Sequence, residues 1–159
     1  MIIAAYAGTG KTTLAKLHPD KFLDFPVMPY KYHLDTFADS EDAEKAKANP
    51  YLVMQEYWPE NYVEAIKEIM YAGKIILIPS ASNVLRHLDK ENIPYILCYP
   101  QRSAKEIYRK RYIDRGNTED FLNIFIDGWD YFLGILENNL HGTHIVMKPN
   151  QFLSDVVYM

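Results

Sequence analysis

The residues best equipped for chemistry form one short run, in which Ile2-Ile3-Ala4-Ala5 leads into Tyr6-Ala7-Gly8-Thr9-Gly10-Lys11-Thr12-Thr13. Gly8 and Gly10 allow the backbone to turn so that its N–H groups point at an anion. Lys11 supplies a mobile cation for the β- and γ-phosphates of a nucleotide, and the Thr12 hydroxyl suits Mg²⁺. A β-branched run before the glycines and Leu14-Ala15-Lys16-Leu17 after them give the strand, loop and helix order of a phosphate-binding P-loop. Gly8, Thr9, Gly10, Lys11, Thr12 and Thr13 are therefore the expected nucleotide contacts. The helix start adds partial positive charge behind the phosphates. Ala5 stands where the motif G-x-x-x-x-G-K-[ST] begins with glycine, which is harmless if the backbone there keeps a negative φ.

A second chemical grouping lies between Pro100 and Arg115. It holds Arg102, Lys105, Arg109, Lys110, Arg111 and Arg115 against Glu106 and Asp114. With a whole-chain charge of −4, this net +4 leaves −8 on the remainder. A cationic helix on an acidic protein suggests a local anion to be met. Ala104, Tyr108, Arg111 and Arg115 share one helical face, which begins apolar and ends in two arginines. That placement aims Arg111 and Arg115 at a cleft, where guanidinium forks match phosphate oxygens. Part of the remaining charge is an ordinary solvated face.

The elements that must position these groups follow from periodicity. Lys21–Phe25 reads as a second strand after the break at Pro19, with Asp24 near its end. Residues 26–58 are irregular, punctuated by Pro26, Pro29 and Pro50, and the acidic stretch from Asp35 to Ala48 reads as a mobile helix. Pro59 suits the first position of a helix to about Ala72, ended by Gly73. Lys74–Ile78 is an almost unbroken apolar run, as in a strand covered on both faces. Ser82 is placed to cap a short helix, and Tyr95–Tyr99 is a fourth strand. A basic helix then runs from about Ser103 to Asp114, broken by Gly116. Thr118 caps a long helix with a stripe of Leu122, Phe125, Trp129, Phe132, Leu136 and Leu140. Thr143–Met147 is a fifth strand, and residues 151–157 a terminal helix. Five strands linked by helices predict a doubly wound parallel α/β sheet with helices on both faces, whose ligands bind at the carboxyl ends of the strands.

At 159 residues the chain is expected to form one domain, spanning 1–159. Hydrophobic and charged fractions of 48% and 24% are those of an ordinary globule, and no apolar run is long enough for a bilayer. We expect no membrane association, no signal or transit peptide and no general nucleic-acid binding, with a cytoplasmic location by default. Cys98, the only cysteine, excludes an internal disulfide and reads as a buried strand thiol. His18, His33, His87, His141 and His144 show no metal-ligand spacing.

In this organisation the chain resembles the small P-loop kinases, of the nucleoside-monophosphate and shikimate kinase types. The run from Tyr95 through Arg109-Lys110-Arg111-Tyr112-Ile113-Asp114-Arg115-Gly116 is also similar to phage and bacterial proteins labelled adenylate-kinase-like. The resemblance covers the chain by organisation, while only the P-loop is a specific motif. It implies ATP and Mg²⁺ as cofactors and transfer of the γ-phosphate to a small acceptor, a nucleotide or nucleoside foremost. Lys11, Asp24, Arg111 and Arg115 are then the catalytic candidates, and Thr12 with Asp24 the metal candidates. It also implies that 26–58 is an acceptor-binding insertion, whose Tyr30, Tyr32, Phe37, Tyr51, Tyr57 and Trp58 offer at most one stacking surface. By the same resemblance 100–117 is a basic lid helix. One departure stands out: the third strand ends Ile78-Pro79-Ser80 without the carboxylate that many P-loop enzymes use to hold the Mg²⁺ shell. That leaves open a nucleotide-binding switch or slow ATPase, or a protein that binds nucleotide without catalysis.

Overall fold

The computed structural model describes residues 1–33 and 53–157. The expected acidic helix and the aromatics Phe37 and Tyr51 fall outside these residues. Within them, five parallel strands form one sheet: β1 (Ile2–Ala5), β2 (Phe22–Asp24), β3 (Ile75–Pro79), β4 (Ile96–Pro100) and β5 (Thr143–Met147), in the order β2-β3-β1-β4-β5. Strand β1 is central and completely buried, which explains its unbroken apolar sequence.

The strand order dictates where the helices go. Leaving β1 for β2 runs one way across the sheet, whereas the crossings to β3, β4 and β5 run the other way. Right-handed crossovers then place the first connection on one face and the later ones on the opposite face. The two apolar cores follow that division. Helix α1 (Lys11–Leu17) packs Leu14 and Ala15 with Ile3, Ala5, Phe22, Leu77 and Cys98, joined by Leu153 of α8 (Leu153–Val156). The other core covers Ile2, Ala4, Ile76, Ile78 and Leu97. It takes Tyr62, Val63 and Ile66 from α3 (Glu60–Ile69), which follows the short α2 (Met28–Lys31), and Val84, Leu85 and Leu88 from α4 (Ser82–Lys90). Tyr108 and Tyr112 come from α5 (Lys105–Asp114), and Trp129, Leu133 and Leu136 from α7 (Trp129–Glu137). Each large aliphatic side chain so covered contributes about 1.5–3 kcal/mol.

Several expected boundaries shift for identifiable reasons. Helix α3 ends at Ile69, and Pro59 occupies its N-cap rather than its first turn. Helix α4 begins on Ser82 itself, with Ala81 at the cap, so Ser82 does not cap it. The basic helix opens with a 3₁₀ turn, Arg102–Ala104, before α5. The long helix expected after Thr118 is three pieces: α6 (Glu119–Leu122), a π-helical turn (Asn123–Asp127) and α7. Thr118 does cap it, its hydroxyl accepting from the Phe121 amide at 3.2 Å. The π turn adds a residue to the helical period and steps the buried face to Ile126, Trp129, Leu133 and Leu136. Leu140, assigned to the stripe, lies beyond α7 and is 91% exposed.

Cys98 is fully buried in β4, and desolvation pushes its thiol up to about 12, partly offset by the nearby Lys11 charge. The folded protein is therefore expected to resist iodoacetamide near about pH 8, where a free thiol reacts readily. Alkylation of the native protein at the rate of the urea-unfolded chain would contradict this placement.

Candidate functional site

The carboxyl ends of the strands collect the residues singled out for chemistry. Ala5 closes β1 in extended conformation, and among the described residues only Asn92 has a positive φ without being glycine, so alanine is tolerated there. The loop then turns through Gly8 (φ 86°) and Gly10 (φ 93°), where glycine is required. Gly10 sits at the N-cap of α1, and the Leu14 amide is the first to bond back, to the Gly10 carbonyl at 2.9 Å. The amides of Lys11, Thr12 and Thr13 therefore lie ahead of the helical ladder. Thr9 is completely buried, and its hydroxyl donates to the Tyr6 carbonyl at 2.7 Å. It contributes backbone to the cradle and uses its side chain to close the loop.

Lys11 folds over this loop and donates from Nζ to the carbonyls of Ala5 (2.9 Å) and Tyr6 (3.3 Å). Thr12, on the exposed first turn of α1, donates from its hydroxyl to Asp24 Oδ2 at 2.8 Å. Two residues twelve apart in sequence thus meet across the ends of β1 and β2. A threonine whose proton is taken by a carboxylate keeps its lone pairs for a cation, so the pair suits a hydrated Mg²⁺. The neighbouring Thr13 is exposed.

The two arginines of the basic helix part ways. Arg111 is half-buried and donates through Nη1 to the Gly8 carbonyl at 3.0 Å. Its Nη2 donates to the carbonyls of Gln151 (3.1 Å) and Pro149 (3.4 Å). The guanidinium lies over the rings of Tyr108 and Phe152, 4.5 and 3.8 Å from their centroids. Arg115, at the exposed end of α5, donates to the Asn117 side chain and lies over the Tyr112 and Phe121 rings. Arg102, also near a strand end, is tied to Glu137 and Asp130 on α7.

Two contributors to this region escaped sequence reasoning. The Tyr112 hydroxyl donates to the Ala7 carbonyl at 2.8 Å, and burial raises its phenol well above the ordinary value, keeping it a neutral donor. Phe152 packs on Gly10 while the next amide, Leu153 N–H, donates to the Thr9 carbonyl at 2.9 Å. Beside them, a groove of about 650 Å³ is lined by Gln101, Lys148, Pro149, Asn150, Gln151 and Asp155 at the ends of β4 and β5. Near the end of β2, Phe25, Tyr30, Trp58 and Tyr62 pack on one another, with Tyr57 71% exposed. Tyr32 joins the antiparallel bridge to Met54. His144 is engaged by Tyr99 and the Asn139 carbonyl, a structural pairing. Among the described residues no group of three or more His, Cys, Asp or Glu is placed to hold a metal, and no helix is long and apolar enough to cross a membrane.

No protein-family model matches the sequence, and no curated protein matches it. A solved structure does. The crystal structure of a gluconokinase from Sinorhizobium meliloti 1021 is similar over 98% of this chain and 85% of its own, with a TM-score of 0.50 and 15% identity. The chain shares the α/β fold of that structure, a five-stranded parallel sheet with helices on both faces. That likeness concerns architecture, since an identity of 15% carries the path of the backbone and nothing about the acceptor.

Proposed function

We propose that the protein is an ATP-dependent phosphotransferase that passes the γ-phosphate to a small acceptor. The observation that carries this reading is the Thr12–Asp24 hydrogen bond beside a glycine-turned loop with its lysine poised over it. ATP would supply the phosphoryl group, and Mg²⁺ would neutralise charge along its phosphates. Gly8, Thr9 and Gly10 offer backbone to the anion, and Thr13 lies beside them on the first turn of α1. Lys11, resting on the Ala5 and Tyr6 carbonyls, would turn to phosphate oxygens. Thr12 and Asp24 would hold the metal, Asp24 fixing the Thr12 hydroxyl and offering the carboxylate that β3 lacks. Arg115, over the Tyr112 ring whose hydroxyl reaches the phosphate loop, is the arginine assigned to charge on the migrating group. The groove lined by Gln101 and residues 148–151 would receive the nucleoside end.

The acceptor belongs near Asp24 and the aromatic group of Phe25, Tyr30 and Trp58. A nucleotide or nucleoside is our leading class, because those rings offer an apolar wall for a base. Gluconate, named by the structural neighbour, is the second. ADP formation measured with nucleosides, nucleotides, gluconate and small sugars distinguishes them. With the responding acceptor, Asp24→Asn is expected to lower kcat by about 10–100-fold, the usual consequence of disturbing a group that orients a metal ligand. Its melting temperature should scarcely move, because the Thr12–Asp24 bond is exposed. Unchanged turnover would reduce Asp24 to an ordinary surface acid.

A further inference from the structure

Three consecutive carbonyls of the phosphate loop are each held from outside the loop. Ala7 O accepts from the Tyr112 hydroxyl, Gly8 O from Arg111, and Thr9 O from the Leu153 amide. A trans peptide sets the C=O of one residue antiparallel to the N–H of the next. Pinning the carbonyls of residues 7, 8 and 9 outward therefore turns the amides of Gly8, Thr9 and Gly10 the other way. The Thr9 amide is partly occupied by the Tyr6 carbonyl at 3.3 Å, so Gly8 and Gly10 gain most from this orientation. The side chains also fix the loop sterically. A Cβ on Gly8 would lie 2.8 Å from the Tyr112 ring, and one on Gly10 would lie 3.2 Å from Phe152.

Arg111 does more than hold one carbonyl. Its fork spans from Gly8 to Gln151 and Pro149, joining the loop after β1 to the loop after β5. These strands are not neighbours, because β4 lies between them, so no ladder sets the spacing of their loops. Cation–π contacts with the Tyr108 and Phe152 rings further confine the guanidinium. We infer that Arg111 and Tyr112 are positioning residues, a carbonyl clamp on the phosphate loop that pre-aims its amides at an anion, and that Arg111 acts through the loop rather than as a phosphate ligand. The inference rests on the nucleotide-site reading for its ligand, but the clamp itself can be tested without one.

The test uses the whole protein with Arg111→Lys, which keeps the charge and loses the fork, and Tyr112→Phe, which changes no charge at all. In ligand-free protein, hydrogen exchange at the hydrogen-bonded Thr9 and Leu153 amides is expected to accelerate about tenfold or more in both variants, with α7 amides as the folding control. Calorimetry with Mg²⁺ and inorganic tripolyphosphate is then expected to give about tenfold weaker binding for Arg111→Lys and about fivefold for Tyr112→Phe. Unchanged exchange at the loop overturns the clamp. So does a result in which Arg111→Lys binds within about twofold of wild type, which would mean that charge alone suffices. If wild type binds neither tripolyphosphate nor ATP while the exchange arm behaves as expected, the nucleotide reading fails and the clamp stands as a structural device.

Discussion

Lys11→Ala is expected to lower kcat/KM by about 10³-fold or more and to weaken MgATP binding roughly ten- to a hundredfold. A charge-assisted hydrogen bond of this kind contributes about 1.5–3 kcal/mol to binding. Removing a preorganised donor from a site of developing charge costs about a further 10²–10³ in rate. In the free protein the ammonium rests on the Ala5 and Tyr6 carbonyls, already beside the loop, so little reorganisation separates it from phosphate. Calorimetry with MgATP, followed by turnover on the responding acceptor, measures both effects. Equal affinity in the two proteins would remove the nucleotide from this loop.

Gly8→Ala is expected to damage the fold as well as the site. Its φ of 86° costs an alanine about 1–2 kcal/mol, and the added Cβ meets the buried Tyr112 ring at 2.8 Å, an overpacking worth about 1–3 kcal/mol. The sum of about 2–5 kcal/mol corresponds to a fall in Tm of roughly 4–20 °C. Gly73 provides the control, with the same φ of 86° and nothing within 4 Å of its would-be Cβ. Gly73→Ala should show the backbone cost alone. Thermal melts in which both variants fall equally would mean that the Tyr112 contact is not tight.

Much of the fold was legible because the strands are short, largely apolar runs and some helix ends carry a local signal, such as the Thr118 cap, Gly73 and Gly116. The phosphate loop was legible for the same reason, since its glycines, lysine and threonine are contiguous. Asp24 could be placed at a strand end, though its partner Thr12 emerged only when β1 and β2 took their positions in the sheet. The face shared by Tyr108 and Arg111 was also visible in the helical spacing, but its target was not. Arg111 and Tyr112 reach carbonyls 103 and 105 residues away, and backbone carbonyls leave no mark in a sequence. Phe152 looked like a generic apolar residue near the end of the chain. Of the stripe read along the long helix, Trp129 and Leu136 are buried and Leu122, Phe125 and Phe132 pack against the core, while Leu140 falls outside it because α7 ends at Glu137. The π turn at Asn123–Asp127, which leaves no periodic signal of its own, was not legible.

The fate of the γ-phosphate decides whether the protein is a phosphotransferase. Phosphorus NMR of the wild-type protein with MgATP, alone and with each nucleoside, nucleotide, gluconate or small sugar, follows that group without assuming its destination. ADP together with a new phosphate-ester or phosphoanhydride signal is expected in the presence of at least one acceptor. ATP left intact in every mixture would contradict this. So would γ-phosphate released only as inorganic phosphate, at one rate whatever acceptor is present.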